Sequence, residues 1–126
     1  MEDDLVASGR YVRIATRGRR SGASRDVTVG FAESESGPSG SIVVAAGDTE
    51  ADWALNLLVE PRCDVRVGDR AFEAMAEPLE GADHATAIRA LILRYGTSAE
   101  GLGRGPSFRL VPIAAAGAGA DPRSPR

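Results

Sequence analysis

The order of hydrophobic periods along this chain is the feature that most constrains its fold. Six short segments alternate apolar with polar residues or form β-branched runs, whereas only two show the helical spacing of three and four. The predicted strands are 10–16, 26–31, 41–47, 63–67, 70–77 and 107–113, and the predicted helices are 50–60 and 82–95. Short links, including the two-residue link at 68–69, argue against a doubly wound parallel sheet. The pattern predicts a mainly β (α+β) protein built as a small, mostly antiparallel barrel.

Local signals bound the first predicted helix at both ends. Thr49 followed three residues later by Asp52 resembles a capping box with Asp in place of Glu, and Pro61 ends the helix. In the second helix an apolar stripe predicts the buried face. That stripe consists of Ala87, Ile88, Leu91 and Ile92.

The length of 126 residues fits one domain with one core. We divide the chain into a short N-terminal lead at 1–9, a barrel domain at 10–113 and a disordered C-terminal tail at 114–126, which is rich in small residues, Pro and Gly. A single cysteine, Cys63, excludes an internal disulfide. The acidic start lacks a secretory signal and the apolar runs are too short for a membrane span. The sequence therefore predicts a cytoplasmic protein without a membrane span.

Positive charge is concentrated near the N-terminus of a chain whose formal net charge is −3. Residues 10–25 contain six arginines and no Asp or Glu. The acidic remainder disfavours binding to a nucleic-acid backbone, and the chain has few of the aromatic residues on which single strands stack. One positive patch on an acidic body suits a small anion better than a polymer, so we predict a small-molecule ligand and no nucleic-acid partner.

The loop TRGRRSGASR (16–25) joins the first two predicted strands. Arg19, Arg20 and the Ser21 hydroxyl fall in one bend, and Gly18 and Gly22 allow the backbone to turn its N–H groups toward an anion. Guanidinium forks also match the geometry of a phosphate. From the residues alone, two interpretations stay open: a solvated hairpin tip and a phosphate-binding loop.

Few other residues offer chemistry of their own. With one His and one Cys, neither a His/Cys metal cluster nor a Ser-His-Asp triad is indicated, and no metal site is predicted. His84 lies at a helix start, where we expect a surface or capping role, and Cys63 is expected in the core. Trp53 and Asn56 share a helix face directly after the strand end AAG, so they either pack and brace the core or wall a planar ring. An enzyme with this composition would depend on a cofactor.

Three stretches together resemble the deazaflavin-dependent nitroreductase family of split-barrel flavin/deazaflavin oxidoreductases. They are TRGRRSG followed by Arg25, VVAAGD, and WALNLLVEP, in the order and roughly the spacing of the family. The resemblance covers about residues 10–113. It implies a flavin-reductase-like split β-barrel of about six antiparallel strands with two helices. Related barrels often pair, so it also implies that a homodimer can form, although the sequence itself leaves the oligomeric state open.

The family resemblance implies a cofactor, the deazaflavin coenzyme F-420 (hereafter F420), a hydride carrier with a phospholactyl-glutamate tail. It further implies hydride transfer to a small organic acceptor such as a quinone, a nitroaromatic or an enone. Tyr95 matches the first tyrosine of a family segment and is the candidate catalytic residue, the alternative being packing at a helix end. The implied cofactor-binding residues are Arg19, Arg20, Ser21, Gly22 and Arg25 at the phosphate, Thr28, Val29, Ala45, Ala46 and Gly47 at the ring, and Trp53 and Asn56 closing or bracing the pocket.

Two alternatives remain open on the sequence. An arginine clamp also suits the phosphate of FMN, which would make the protein an FMN-binding oxidoreductase of the same fold. The shortage of acid/base groups after the second helix is also compatible with a cofactor-binding or carrier module that catalyses nothing.

Overall fold

Seven antiparallel strands form one curled sheet that carries three helices in the computed structural model, which describes residues 2–96 and 102–113. The strand order across the sheet is β2-β1-β5-β6-β7-β4-β3. In chain order the elements are α1 (Glu2–Ala7), β1 (Val12–Arg17), β2 (Ser24–Val29), β3 (Ala32–Glu33), β4 (Ile42–Ala45), α2 (Asp52–Val59), β5 (Arg62–Val67), β6 (Arg70–Leu79), α3 (Gly81–Tyr95) and β7 (Ser107–Pro112). This half-barrel confirms the predicted mainly β, split-barrel class.

The eight predicted elements are all present, together with two that the sequence analysis missed. The strand β3 lies between the predicted strands 26–31 and 41–47, and it pairs only Ala32 and Glu33 with β4. The helix α1 lies within the predicted N-terminal lead. Both elements are too short for a hydrophobic period to mark them. The predicted tail at 114–126 lies outside the described residues.

The predicted capping box is wrong. The N-cap residue of α2 is Ala51, not Thr49, and no side chain caps the helix. Asp48 instead accepts a hydrogen bond from the backbone N–H of Glu50 at 2.9 Å, so its side chain stabilises the turn before the helix. The predicted end is confirmed, because α2 ends at Val59, two residues before Pro61.

The core lies on the concave face of the sheet, and α2 packs against β1 and β2 there. Alternation along β1 buries Val12 and Ile14, which pack with Val65 of β5 and Phe108 of β7. Since each strand presents every second residue to one face, this register places the two arginines of β1 on the other face and buries Thr16 with the core.

The helix α3 covers the opposite end of the sheet, against β3, β4 and β7. The predicted inner stripe of α3 is confirmed at two of its four residues. Ala87 and Leu91 are buried, whereas Ile88 and Ile92 are only half-buried on the flank of the helix. These two isoleucines lie on the flank of α3 next to Gly103, whereas β3 lies beside the other flank. In the described part of the chain, no helix is long and apolar enough to cross a membrane.

Candidate functional site

The β1–β2 hairpin ends in a turn of fixed shape, residues 18–23, which we call the arginine turn. The backbone N–H of Gly18 donates to the carbonyl of Ala23 at 2.7 Å, and the N–H of Gly22 donates to the carbonyl of Gly18 at 2.8 Å. The Ser21 hydroxyl oxygen accepts from the N–H of Ala23 at 3.1 Å. Gly22 has φ +76°, a left-handed conformation that favours glycine. These internal hydrogen bonds fix the backbone conformation of the turn.

The side chain of Asn56 joins α2 to both arms of this hairpin. Its Oδ1 accepts from the backbone N–H of Arg19 at 3.1 Å and from the Arg19 guanidinium at 2.9 Å. Its Nδ2 donates to the Thr16 hydroxyl at 3.1 Å, and that hydroxyl donates to the carbonyl of Arg25 at 3.3 Å. Asn56 is only 3% exposed and Thr16 only 2%. A buried amide is costly unless it is hydrogen-bonded, so these contacts hold the turn on the helix.

The arginines of the site differ in what they contact. Arg19 is 22% exposed, and besides Asn56 it forms an ion pair with Asp52 at 3.3 Å. Arg20 and Arg25 are exposed. Among the residues that the structure describes, neither of these two guanidiniums has a hydrogen-bond or ion-pair partner. Arg19 is therefore directed toward α2, and the predicted phosphate contact of Arg19 would compete with its partners inside the protein.

A cleft of about 470 Å³ opens between the arginine turn, the start of β2 and α2. Its volume is in the range of small-molecule sites. Six of the twelve predicted cofactor-binding residues meet there: Arg19, Arg20, Ser21, Arg25, Trp53 and Asn56. Of the other lining residues, the sequence analysis named Gly18 only for the shape of the turn and missed Asp26, Val27 and Asp52. Asp52 could have been suspected from its charge opposite the arginines, but no spacing in the sequence pointed to Asp26 or Val27.

The cleft has the electrostatic character of an anion site. Three arginines and two aspartates line it, and the pairing of Arg19 with Asp52 leaves Arg20 and Arg25 against Asp26. The backbone N–H groups of Arg20 and Ser21 also have no acceptor within the described residues. Unsatisfied N–H groups beside cationic side chains favour an anionic ligand.

Trp53 forms the apolar wall of the cleft. Its ring lies 6.1 Å from that of Phe108 at an angle of 53°, and it packs against the main core while remaining half-buried. The backing by a buried phenylalanine fixes the orientation of the indole ring. A rigid aromatic surface next to exposed cations is suited to a ligand that combines a planar ring with a phosphate.

The other six predicted cofactor-binding residues do not line the cleft: Gly22, Thr28, Val29, Ala45, Ala46 and Gly47. At the end of β4, the N–H of Ala46 donates to the carbonyl of Pro106 at 2.9 Å, and Ala45 pairs with Ser107 of β7. A β-carbon on Gly105 would collide with the carbonyl oxygen of Ala46. Residues 105–107 therefore cover this strand end, and its predicted contact with the ring stays a prediction.

Tyr95 lies away from the cleft, at the C-terminal end of α3. Its hydroxyl donates to the carbonyl of Arg10 at 2.6 Å and accepts from the N–H of Phe31 at 3.0 Å and from the Arg94 guanidinium at 3.0 Å. A β-carbon on Gly30 would lie 2.9 Å from the Tyr95 ring, so the chain passes close to that ring. This geometry favours the packing interpretation, and the catalytic role stays a prediction.

The lone histidine and the lone cysteine both serve the fold. His84 Nδ1 lies 2.7 Å from the Ser107 hydroxyl and Nε2 lies 3.2 Å from the carbonyl of Gly103, so the ring bridges α3 to β7 and to the turn at 102–104. This replaces the surface or capping role that we expected. Burial, with smaller contributions from Asp64 and Glu73, raises the pKa of Cys63 to about 12. Such a thiol is an unreactive core residue, as the sequence predicted.

Comparison with known proteins identifies relatives of this chain. A family model described as F420H(2)-dependent quinone reductase matches residues 7–101. No curated protein matches. Among solved structures, an F420-H2 dependent reductase (FDR-A) is 22% identical, with a TM-score of 0.64 over 80% of this chain and 93% of that one.

Two further solved structures share the fold. A protein described as a domain-swapped dimer is 21% identical, with a TM-score of 0.65 over 86% of this chain and 92% of that one. HutZ, the heme storage protein from Vibrio cholerae, is 19% identical, with a TM-score of 0.68 over 88% and 87%. At these identities the three structures establish a shared fold.

Proposed function

Because the chain belongs to the F420H2-dependent quinone reductase family, we propose that it is an oxidoreductase that uses reduced F420 to reduce a small organic acceptor. The observation that carries this proposal is the cleft itself, where the exposed guanidiniums of Arg20 and Arg25 stand beside the aromatic wall of Trp53. When bound, the deazaflavin supplies the hydride. The protein supplies binding, orientation and the exclusion of water.

The residues present fit a cofactor that carries a phosphate. Arg20 and Arg25 would bind the phosphate together with the N–H groups of Arg20 and Ser21, and the Ser21 hydroxyl can donate as well. Trp53 and Val27 would contact the planar ring. Asp26 lies on the same cleft and disfavours a ligand with a second negative charge at that point. These features support one phosphate at the arginine end and an uncharged ring at the tryptophan end.

The implied residues outside the cleft form a second group of candidates. Gly22 acts through the shape of the arginine turn, whereas Thr28, Val29, Ala45, Ala46 and Gly47 would contact the ring if the ligand extends beyond the cleft. We assign Tyr95 a bracing role, because its hydroxyl has an acceptor and two donors within the protein. A cytoplasmic location stays a prediction of the sequence.

A quinone is the first acceptor to test, since it is the one named in the description of the family. Nitroaromatics and enones follow. The experiment is to mix the purified protein with reduced F420 and each acceptor in turn and to follow the reoxidation of the deazaflavin by its absorbance. Acceptor-dependent reoxidation that is lost in Arg20→Ala supports the proposal. Tight binding of F420 without turnover of any acceptor would favour a carrier module. Turnover only when reduced FMN replaces reduced F420 would favour the flavin enzyme.

We also propose that two copies of the chain associate. The support is the similarity to a domain-swapped dimer and the flank of α3, where the side chain of Leu93 is exposed beside half-buried Ile88 and Ile92. Contiguous apolar patches on a helix commonly mark an interface.

A further inference from the structure

We propose that Asn56 is a positioning residue for the phosphate end of the cleft. It acts on the arginine turn through Arg19 and, through Thr16 of β1, on β2. This inference rests on the proposed function, because it assumes that the cleft binds a phosphate-bearing deazaflavin. Asn56 itself would not contact the phosphate. Its role is to set where Arg20 and Arg25 stand.

The arginine turn is held by a single acceptor atom. Asn56 Oδ1 binds both the backbone N–H and the guanidinium of Arg19, at 3.1 and 2.9 Å. Two contacts from one residue to one atom determine both the position of the Arg19 backbone and the direction of its side chain. The next residue, Arg20, is exposed and lines the cleft. Arg19 is therefore bound to groups of the protein, whereas Arg20 is available to a ligand in the cleft.

The strand β2 is held indirectly, through the other end of the same amide. Asn56 Nδ2 donates to the Thr16 hydroxyl, which donates in turn to the carbonyl of Arg25. Thr16 and Arg25 are also opposite each other in the β1–β2 register. One buried side chain therefore connects the two backbone segments that carry the exposed arginines.

Burial indicates that Asn56, and not Asp52, does most of this holding. Asp52 also contacts Arg19, but its side chain is 87% exposed, and an exposed ion pair contributes little after screening by solvent. The hydrogen bond from Asn56 to Thr16 is buried between α2 and β1, and the two from Arg19 are partly buried, so a partner left unsatisfied there is costlier than on the surface. Removing Asn56 should therefore disturb the turn far more than removing the charge of Asp52.

The test compares two ligands, intact F420 and a deazaflavin chromophore that lacks the phosphate tail, by quenching of Trp53, the only tryptophan. Asn56→Leu keeps the side-chain volume and removes every polar contact, and we expect it to weaken F420 binding by about tenfold and phosphate-free binding by less than about twofold. Asn56→Asp keeps both acceptor contacts to Arg19 but loses the donation to Thr16, so we expect it to weaken F420 binding by about threefold, less than Asn56→Leu. Glu50→Gln, at an exposed acid that precedes α2 and does not line the cleft, is the matched control and should bind like the wild type.

A second variant keeps the test decisive if Asn56→Leu fails to fold. Thr16→Val removes only the hydroxyl between Asn56 and Arg25, and we expect it to weaken F420 binding by about threefold with little effect on the phosphate-free ligand. Thermal unfolding of each variant establishes that it is folded.

The outcomes separate this inference from its premise. If the wild type binds neither ligand, the proposed function fails and the inference with it. If the wild type binds F420 and the folded Asn56 and Thr16 variants bind it equally well, the inference alone is wrong. An equal loss of both ligands in these variants would also overturn it, since Asn56 would then support the whole cleft and not its phosphate end.

Discussion

Arg19 and Arg20 are neighbours in the chain, but only their surroundings decide what each can bind. The sequence analysis assigned both to the phosphate, because a pattern of residue types does not distinguish adjacent arginines. The difference comes from Asn56, which is 37 residues from Arg19 in sequence and is brought beneath it by the packing of α2 on β1. Six of the ten residues that line the cleft could be predicted, whereas the direction of each side chain could not.

At the residue scale, we expect Arg20→Ala to change ligand affinity and Arg19→Ala to change the stability of the fold. Arg20→Ala should weaken F420 binding at least about tenfold, or ~1.4 kcal/mol, with little change in stability, because it removes an exposed cation. Arg19→Ala leaves the buried Asn56 oxygen with one donor fewer, which costs on the order of 1–3 kcal/mol of unfolding free energy. Ligand titration and urea unfolding measure the two effects. Equal stability of the two variants would contradict the assigned roles.

The hydroxyl of Tyr95 offers a second comparison. Tyr95→Phe leaves the N–H of Phe31 and the carbonyl of Arg10 without this partner, so we expect a loss of about 1–2 kcal/mol of unfolding free energy. If Tyr95 only braces the fold, the turnover number with a quinone should stay within about twofold of the wild type at a temperature where the variant is folded. A large fall in turnover at unchanged F420 affinity would restore the catalytic role.

At the scale of elements, hydrophobic period predicted every strand and helix that is long enough to have a period. It placed β5, β6 and β7 close to their observed bounds, because each alternates buried and exposed residues or carries a buried apolar run. It missed β3 and α1, whose stability comes from their contacts and not from their own pattern. The capping box failed for a related reason: Asp48 satisfies the turn before α2, so Thr49 is not needed as a cap.

The segment that leads into β7 provides an element-scale prediction. Gly105 packs against the backbone of Ala46 and Asp48, and a β-carbon there would lie 2.9 Å from the carbonyl oxygen of Asp48. We expect Gly105→Ala to push this segment off the end of β4 and to lower the unfolding free energy by about 1–3 kcal/mol. Gly103→Ala is the matched control, since its β-carbon would meet only Ile88 at an ordinary 3.8 Å. Similar melting temperatures for the two variants would contradict this packing.

At the scale of the whole molecule, charge and apolar surface are unevenly distributed. The chain is acidic overall, yet the described hairpin tip carries its exposed arginines at one cleft, and the flank of α3 exposes Leu93 by 82%. Net charge and the local arginine cluster could be taken from the sequence, and they predicted the small-anion ligand that we propose. The exposed flank could not be predicted, because Ile88 and Ile92 have the spacing of a buried stripe, whereas in the structure they lie half-buried on the flank next to Gly103.

The proposed association of two copies can be tested on this flank. We expect the wild type to sediment as a dimer and Leu93→Asp to sediment as a monomer, because a charge placed in an apolar interface is strongly unfavourable. Leu58→Asp, at an exposed apolar residue of α2, is the control and should not change the sedimentation. A monomeric wild type would refute the dimer, and a dimer unaffected by Leu93→Asp would place the interface elsewhere.

The central claim is that the cleft binds F420 through its phosphate, and the most direct measurement is a titration of the purified protein with F420 and, in parallel, with FMN. Because Trp53 is the only tryptophan and lines the cleft, quenching of its fluorescence reports occupancy of the site. The account predicts saturable quenching by F420, weaker quenching by FMN, and competition of inorganic phosphate with F420. Saturable binding of FMN alone, or quenching by neither ligand, would contradict it.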